Sequence, residues 1–392
     1  MSDIVITGAA RTAMGGFQGA FANTSTTALG AAAIDAALKG AGIATDKVDE
    51  VMMGCVLPAG LGQAPARQAS LGADIPQSVP TSTVNKVCGS GMKTVMLAHD
   101  QIKAGNGDMI VAGGMESMTN APYLSPKTRS GARLGHVEMK DHMFFDGLED
   151  AYDTGKLMGH FAEATAQRYQ FTREAQDEFA LKSLSNAQRA QEDGAFADEI
   201  TPVTVKSRKA ETVINVDEQP QNARPEKIPT LRPAFDKDGT VTAANSSSIS
   251  DGAAAVVITT SDRAAAENLP IRARILGHAS HAHEPEWFTT APVPAAQKLL
   301  DKLGWSVDYV DLWEVNEAFA VVPMAFMKEL GIPREKLNVN GGACALGHPI
   351  GASGTRILVT LLNALEKRGL KRGIAAVCIG GGEGTAIAIE RD

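Results

Sequence analysis

The sequence has few cysteines and no pattern that would tie them into a scaffold. Its 392 residues include four cysteines, Cys55, Cys88, Cys344 and Cys378, with no CxxC pair and no grouping of Cys and His at zinc-site spacing. Disulfides and a metal site are therefore not expected. A cysteine that takes part in neither a disulfide nor a metal site is either a small buried apolar residue or a reactive thiol.

The sequence also lacks a positive surplus and a long apolar run. A net charge of -8 argues against nucleic acid as a partner, because affinity for the phosphate backbone normally needs a broad Lys and Arg surface. No stretch approaches the roughly 20 apolar residues of a membrane span, and the N-terminus lacks the pattern of a secretory leader. We expect a cytoplasmic protein with no membrane partner.

What is present is material for a large core, since 44% of the residues are hydrophobic. Short β-branched runs predict buried strands at 3–7, 109–112, 254–258 and 375–379, and alanine-rich stretches predict helices at 28–39 and 93–103. This alternation favours an α/β fold with helices covering a sheet.

Two parts of the chain resemble each other. Ser90 and Gly91 open a helical stretch that leads to Gly113–Glu116, and Ser353 and Gly354 open one that leads to Gly380–Glu383. If two such halves pack about a pseudo-two-fold axis, their loops converge on one site. The duplication would then bring three residues together that are far apart in sequence, Cys88, His348 and Cys378.

A more polar segment interrupts the pattern from about residue 120 to 245, and we interpret it as an inserted subdomain. Its basic residues are candidate contacts for an anionic ligand: Lys206, Arg208, Lys209, Arg224, Lys227 and Arg232. A solvated face is the alternative for each of them.

Cys88 stands between an extended segment and a predicted helix, in Asn85–Met92. At a helix N-terminus, unpaired N–H groups and the helix dipole favour the thiolate and are expected to lower a pKa that starts at about 8.5. The neighbouring glycines allow a substrate to approach the backbone closely. The pattern indicates a nucleophile, with a structural cysteine as the alternative.

Two further loops carry groups that suit such a nucleophile. His348 lies in the glycine-dense segment Asn340–Gly354, and a histidine can take a proton from a thiol and return it near neutral pH. Cys378 closes a predicted strand before Gly380–Gly382, whose N–H groups could form an oxyanion hole. A phosphate-binding loop is a weak alternative, because no GxGxxG follows an early strand and no Walker lysine is present.

Together and in this order, the three motifs resemble those of the thiolase family. Further matches extend the resemblance over essentially the whole chain, at 113–118, 241–247, 251–254 and 316–320. The resemblance implies the thiolase fold, an α/β fold of two duplicated βαβαβαββ-type halves in five layers with an inserted loop subdomain. The expected N-terminal half comprises 1–119 and about 246–270, the insertion 120–245, and the C-terminal half 271–392.

The resemblance also implies a Claisen chemistry in two steps. Cys88, activated by His348, accepts an acyl group from acyl-CoA, and Cys378 then removes a proton from the α-carbon of a second acyl-CoA. One oxyanion hole is implied at His348 and a water held by Asn316, and another at the N–H groups of Cys88 and Gly380. Two acetyl-CoA would give acetoacetyl-CoA and CoA, and thiolysis is the reverse.

For the substrate site, the resemblance implies contacts from Leu148, Met158, Arg224, Ser247, Phe288 and Phe319, although core packing is an equal alternative for Phe319. Leu157 and Gln221 depart from common family residues, and Arg224 is the expected substitute near the adenine. Phe288 is expected to shape a pocket that permits a short acyl chain, including a 2-methylated one. CoA and acyl-CoA are implied as substrates rather than bound cofactors, and a homodimer or homotetramer as the assembly.

Three alternatives stay open from the sequence. A degradative 3-ketoacyl-CoA thiolase of broad chain length would share the mechanism and differ in pocket depth. A ketoacyl-carrier-protein synthase shares the superfamily's duplicated fold but would be expected to carry a second histidine where Cys378 stands. A non-catalytic lipid-binding scaffold would be expected to have lost the nucleophile or its base.

Overall fold

The computed structural model describes residues 2–206 and 210–392. The strands are β1 (Ile4–Thr12), β2 (Gly15–Gly16), β3 (Glu50–Gly54), β4 (Thr81–Val84), β5 (Met109–Ser117), β6 (Tyr123–Leu124), β7 (Lys140–Asp141), β8 (Ile200–Thr201), β9 (Val203–Lys206), β10 (Glu211–Ile214), β11 (Ser250–Thr260), β12 (Ala273–Ala282), β13 (Leu312–Val315), β14 (Arg372–Ile379) and β15 (Glu383–Glu390).

The helices are α1 (Thr26–Ala41), α2 (Pro65–Gly72), α3 (Ser90–Lys103), α4 (Met158–Tyr169), α5 (Arg173–Glu192), α6 (Glu218–Asn222), α7 (Ser261–Ala266), α8 (Pro292–Leu303), α9 (Val321–Leu330), α10 (Ala343–Leu346) and α11 (Ser353–Arg368). Short 3₁₀ helices occupy Thr45–Lys47, Pro225–Thr230, Pro285–Thr290, Val307–Tyr309 and Arg334–Lys336, and a π-helical turn occupies Phe144–Leu148. In the described parts of the chain, no helix is both long enough and apolar enough to cross a membrane.

Two groups of strands meet edge to edge. The strand order is β13-β14-β15-β12-β1-β11-β5-β3-β4, in which β1 pairs with β11 from Ile4 to Arg11. Among the described residues, β1 meets β12 at two residue pairs, Val5 with Arg274 and Ile6 with Ala273. The path therefore consists of a five-stranded N-terminal group and a four-stranded C-terminal group joined by a short seam.

Helices cover both faces of each group. Successive residues of a strand face opposite sides of its sheet, so Val111 of β5 packs in an outer cluster with α1, whereas Ile110 packs in a central cluster with α3 and α11. In the same way Val377 of β14 joins the central cluster, and Ala376 joins a second outer cluster with α8 and α9. The result is five layers, with α3 and α11 in the middle, and the predicted fold is confirmed.

The two central helices cross where the duplicated Ser-Gly pairs lie. A Cβ on Gly91 would approach the Thr355 hydroxyl to 2.7 Å, and a Cβ on Gly354 would overlap the Met92 amide nitrogen. The Thr355 hydroxyl donates to the Gly91 carbonyl at 2.8 Å. Only glycine permits this approach, which places the two helix N-termini, and the loops that precede them, side by side.

The second pair of duplicated motifs differs between the halves. Gly113–Glu116 lies inside β5, whereas Gly380–Gly382 forms the turn between β14 and β15. Gly381 and Gly382 have φ of 93° and 88°, values that favour glycine and that a tight strand reversal needs. The turn therefore has no equivalent at the end of β5.

A buried ion network attaches the segment 120–245 to the first strand. The Arg11 guanidinium donates to Glu199 Oε1 at 2.6 Å and to both carboxylate oxygens of Asp217 at 2.7 and 2.9 Å.

The domain boundaries expected from the sequence stay a prediction.

The helix crossing predicts a large loss of stability for Gly354→Ala. The added methyl group overlaps backbone rather than a flexible side chain, so we expect a loss of about 1–3 kcal/mol, the usual range for overpacking. The matched control is Gly40→Ala near the end of α1, where a Cβ meets nothing within 4 Å and a gain of up to about 1 kcal/mol is expected. Urea unfolding midpoints measure both, and equal midpoints for the two variants would contradict the close crossing.

Candidate active site

Cys88 is buried just before the first turn of α3. Its own backbone N–H and that of Gly380 face the sulfur and favour the thiolate. Burial outweighs these N–H groups and, with the negative charge of Glu116 adding to it, raises the pKa of the Cys88 thiol to about 11. The expectation of a lowered pKa was therefore wrong, because the helix terminus is desolvated together with the thiol.

The residue before Cys88 has a strained backbone. Val87 has φ of 45°, in the left-handed region that a β-branched side chain rarely adopts. Its N–H donates to Asn85 Oδ1 at 2.9 Å, and its carbonyl accepts from the Ser90 hydroxyl at 2.6 Å. These bonds hold the turn that directs Cys88 toward Gly380, and such strain is common at functional sites.

His348 is buried in the loop before α11, and its neighbours define which ring nitrogen is basic. The Ser353 hydroxyl donates to the Pro349 carbonyl at 2.9 Å, so it accepts from His348 Nδ1, which lies 2.5 Å away. His348 Nε2 therefore carries the lone pair, and Asn316 Nδ2 lies 3.4 Å from it. Burial, with the Arg356 cation adding to it, lowers the pKa of His348 to about 3, so the ring is neutral at pH 7.

Cys378 lies near the end of β14 with no solvent exposure. Burial raises the pKa of its thiol well above the ordinary value, and the nearby Cys88 raises it further. The backbone N–H of Asn316 donates to Ala376 on the same strand at 3.0 Å. The structure thus brings Cys88, Gly380 and Cys378 together, and β14 places Asn316 and its partner His348 next to them.

The residues predicted to contact substrate fall into two groups. In the first, a Cβ on Gly380 would lie 3.3 Å from Met158 Sδ. Leu148 packs against the apolar cluster that contains Cys88, and Phe288 is buried in the cluster that contains Cys378. Met158 therefore lies close to Gly380, and Leu148 and Phe288 each share an apolar cluster with one of the two thiols.

The second group consists of Ser247, Phe319 and Arg224. Ser247 donates its N–H to Ala318 at 2.9 Å, next to Phe319, which is itself nearly buried against Phe235 with 6.0 Å between ring centroids. Arg224 is exposed and lines a cavity of about 520 Å³. Other residues that line this cavity are Lys227, Leu231, Ala243, Ala244 and Cys344.

Two of the remaining basic candidates, Lys206 and Arg232, do not line that cavity. Lys206 forms an ion pair with Glu211 at 3.1 Å on the β9–β10 hairpin, and Arg232 is exposed. Arg208 and Lys209 lie outside the described residues.

Several side chains that support the site were not predicted from the sequence. Glu317 accepts from the Ser183 hydroxyl at 2.7 Å, from Asn338 Nδ2 at 2.8 Å and from the Cys344 N–H at 3.1 Å, and so fixes the loop before His348. Ser353 orients His348, as described above. The signal for Ser353 was its position at the start of a helix, five residues after the histidine.

A separate group of three side chains has metal-ligand chemistry. Ligand atoms of His99, Asp100 and His278 lie within 4.8 Å of one another, between α3 and β12. Asp100 Oδ1 is 2.9 Å from a ring nitrogen of each histidine, so hydrogen bonds join the three. The expectation of no metal rested on sequence spacing and stays a prediction.

The fold and the residues around Cys88 define a class of protein. It is an α/β protein of two similar halves whose loops meet at a centre of cysteine and histidine side chains. The family model described as the thiolase N-terminal domain matches residues 4–262, and that of the thiolase C-terminal domain matches residues 269–391. The chain belongs to the thiolase family. Thiolases are acyltransferases, and this chain is an enzyme of that class.

Relatives of the chain match it over its whole length. An acetyl-CoA acetyltransferase of Escherichia coli is 52% identical, and one of Pseudomonas aeruginosa is 49% identical, each over 100% of both chains. The crystal structure of the Bacillus anthracis acetyl-CoA acetyltransferase has a TM-score of 0.97 and 42% identity, and covers 100% of this chain and 99% of its own.

The raised pKa of Cys88 predicts how its alkylation depends on pH. Only the thiolate reacts with iodoacetamide, so below a pKa of about 11 we expect the rate to rise about tenfold per pH unit between about pH 7 and 10. Mass spectrometry of the Cys88 peptide measures the rate of alkylation. The Cys88→Ser variant identifies this peptide, because its alkylated form is then missing. A rate that is already at its plateau near pH 7 would show a resting thiolate and contradict this.

Proposed function

We propose that the enzyme catalyses the reversible condensation of two acetyl-CoA to acetoacetyl-CoA and CoA, and the thiolysis of short 3-ketoacyl-CoA. The observation that carries the proposal is the Cys88 sulfur, buried between two backbone N–H groups beside a second thiol, Cys378. The acetyl group is supported by the names of the relatives.

In the first step, Cys88 becomes acetylated. Its S–H proton passes to His348 Nε2 as the sulfur attacks the thioester carbon of acetyl-CoA. The bond from that carbon to the CoA sulfur breaks, and the imidazolium returns the proton to the CoA thiolate. Because the thiol pKa is about 11 and the imidazole pKa about 3, both groups are uncharged at rest, so proton transfer accompanies attack.

The negative charge that develops on oxygen is stabilised at two places. The N–H groups of Cys88 and Gly380 already reach the sulfur, so they lie within reach of a carbonyl oxygen attached through it. At the other, His348 Nε2–H would donate beside a water held by Asn316, whose Oδ1 has no protein partner among the described residues. Loss of one such donor typically costs about 10²–10³ in rate.

In the second step, Cys378 gives its S–H proton to the neutral His348 Nε2, and the resulting thiolate takes a proton from the methyl group of a second acetyl-CoA. The electron pair forms an enolate, whose carbon attacks the Cys88 thioester, and the bond to the Cys88 sulfur breaks. The His348 imidazolium gives its proton to that sulfur, and Cys378 keeps the proton from the methyl group, which restores the starting state. The closeness of the two thiols, which raises the pKa of Cys378, supports this relay.

The substrate would lie between the two groups of residues described above. The cavity lined by Arg224 and Lys227 offers positive charge for CoA phosphates, and Ser247 and Phe319 would line the path to Cys88. CoA and acyl-CoA act here as substrates. A role in fatty acid metabolism, a dimeric or tetrameric assembly and a cytoplasmic location stay predictions from the sequence.

The relay predicts that Cys378→Ala separates the two half reactions. We expect it to keep the exchange of labelled CoA with acetyl-CoA, which needs Cys88 and His348, and to lose deuterium uptake from solvent into the acetyl methyl group. Gly40→Ala is the control, because a Cβ there meets nothing within 4 Å and the substitution should leave both reactions intact. Loss of exchange together with deuterium uptake would assign Cys378 to the first step instead.

Phe288, which is buried in the same apolar cluster as Cys378, predicts a short acyl chain. We expect thiolysis of acetoacetyl-CoA and 2-methylacetoacetyl-CoA to exceed that of 3-ketohexadecanoyl-CoA, and Cys88→Ala to abolish all three, as followed by loss of the 3-keto chromophore. Preference for the long chain would favour the broad degradative enzyme. Activity retained by Cys88→Ala would refute the mechanism.

A further inference from the structure

Glu116 is a fully buried carboxylate at the end of β5 that the steps above do not use. Its Oε2 accepts from the N–H groups of Val56 at 2.9 Å and Gly351 at 3.0 Å, and its Oε1 accepts from that of Leu57 at 3.2 Å. The Cys55 thiol donates to Oε1 at 3.7 Å. Among the described residues its partners are thus N–H groups and one thiol rather than a cation.

One of these bonds leads to the loop that carries Cys88. The Val56 carbonyl accepts from Asn85 Nδ2 at 3.4 Å, and Asn85 Oδ1 accepts from the Val87 N–H at 2.9 Å. Val87 is the strained residue directly before Cys88. The position of Val56 therefore affects the turn that directs the nucleophile.

Another bond leads to the loop that carries His348. Gly351 lies between His348 and Ser353, whose hydroxyl orients the ring from 2.5 Å. A Cβ on Gly351 would lie 2.6 Å from Glu116 Oε2 and 3.1 Å from Cys55 Cα, so this loop packs directly on the N-terminal half. A shift of Gly351 would move the base relative to Cys88.

We infer that Glu116 is a positioning residue for proton transfer from Cys88 to His348, because one carboxylate holds the loops of both. The inference rests on the proposed function. A carboxylate suits this place since it only accepts, whereas the NH₂ of a glutamine would face N–H donors. A misplacement of about 1 Å at such a pair can lower a rate about 10²-fold.

The charge of Glu116 gives a second, independent effect. It raises the pKa of the Cys88 thiol, as it does that of the Cys55 thiol, whose sulfur lies 3.7 Å from Glu116 Oε1. Burial, against the N–H groups, raises the pKa of Glu116 itself to about 7. Replacing Glu116 by a neutral residue should therefore make Cys88 easier to ionise while it loosens both loops.

The test compares Glu116→Gln with Glu163→Gln. Glu163 is also buried and accepts from the N–H groups of Thr240 and Val241 at 2.9 and 2.7 Å, but none of its hydrogen bonds reaches the loops of Cys88 or His348. For Glu116→Gln we expect CoA exchange with acetyl-CoA to slow about 10²-fold at unchanged KM, while the pH of half-maximal Cys88 alkylation falls. Glu163→Gln should change neither.

Glu116→Gln is thus expected to slow CoA exchange but to make Cys88 alkylation easier. These opposite effects separate a positioning role from a simple loss of stability, which would slow both reactions or neither. Wild-type exchange in Glu116→Gln, or equal slowing in Glu163→Gln, would overturn the inference. If circular dichroism shows that Glu116→Gln does not fold, Glu116→Asp keeps the charge but not the reach, and exchange should slow at an unchanged alkylation profile; unimpaired exchange overturns the inference. If the wild type shows no exchange, the proposed function fails. The inference about Glu116 is then tested by alkylation alone, and a pH profile of Cys88 alkylation that is unchanged in Glu116→Gln would refute it.

Discussion

The close crossing of α3 and α11 at Gly91 and Gly354 is the constraint on which the site depends. Each helix has at its N-terminus a loop that ends in a polar functional group, Cys88 on one side and His348 on the other. A wider crossing would separate the two loops and remove the contact between Gly351 and the N-terminal half. The two outer helix layers and the sheets then fix the central pair from both sides, which explains why both faces of β5 and β14 are apolar.

Burial, rather than helix dipoles, sets the protonation states of the site. The thiol pKa of Cys88 lies above its ordinary value and the imidazole pKa of His348 lies below it, and desolvation is the main cause of both. An uncharged resting pair limits side reactions of the thiol with other electrophiles. The charge that forms during reaction meets N–H groups already in place, so little reorganisation is needed.

Sequence patterns were sufficient for the fold and the family, and insufficient for electrostatics. Strand runs, Ser-Gly pairs and loop motifs are local, so they predicted the layers and brought Cys88, His348 and Cys378 into one site. The pKa of Cys88 depends on how much protein covers it, and Glu116 acts through the N–H groups of Val56, Leu57 and Gly351, which are far away in the chain. A single sequence does not contain those distances. Val87 carries no signal in its residue type, because its strain comes from the turn around it.

The position of β1 has a consequence for synthesis on the ribosome. The first strand of the protein lies between β11 and β12. Its partners are residues 200–201, 254–260 and 273–274, and its Arg11 side chain binds Glu199 and Asp217. At about 5–20 residues per second, roughly 10–50 s pass between the synthesis of β1 and the synthesis of these partners. During that time an apolar strand with two open edges is present on the nascent chain, which makes the N-terminal segment a natural client of ribosome-associated chaperones.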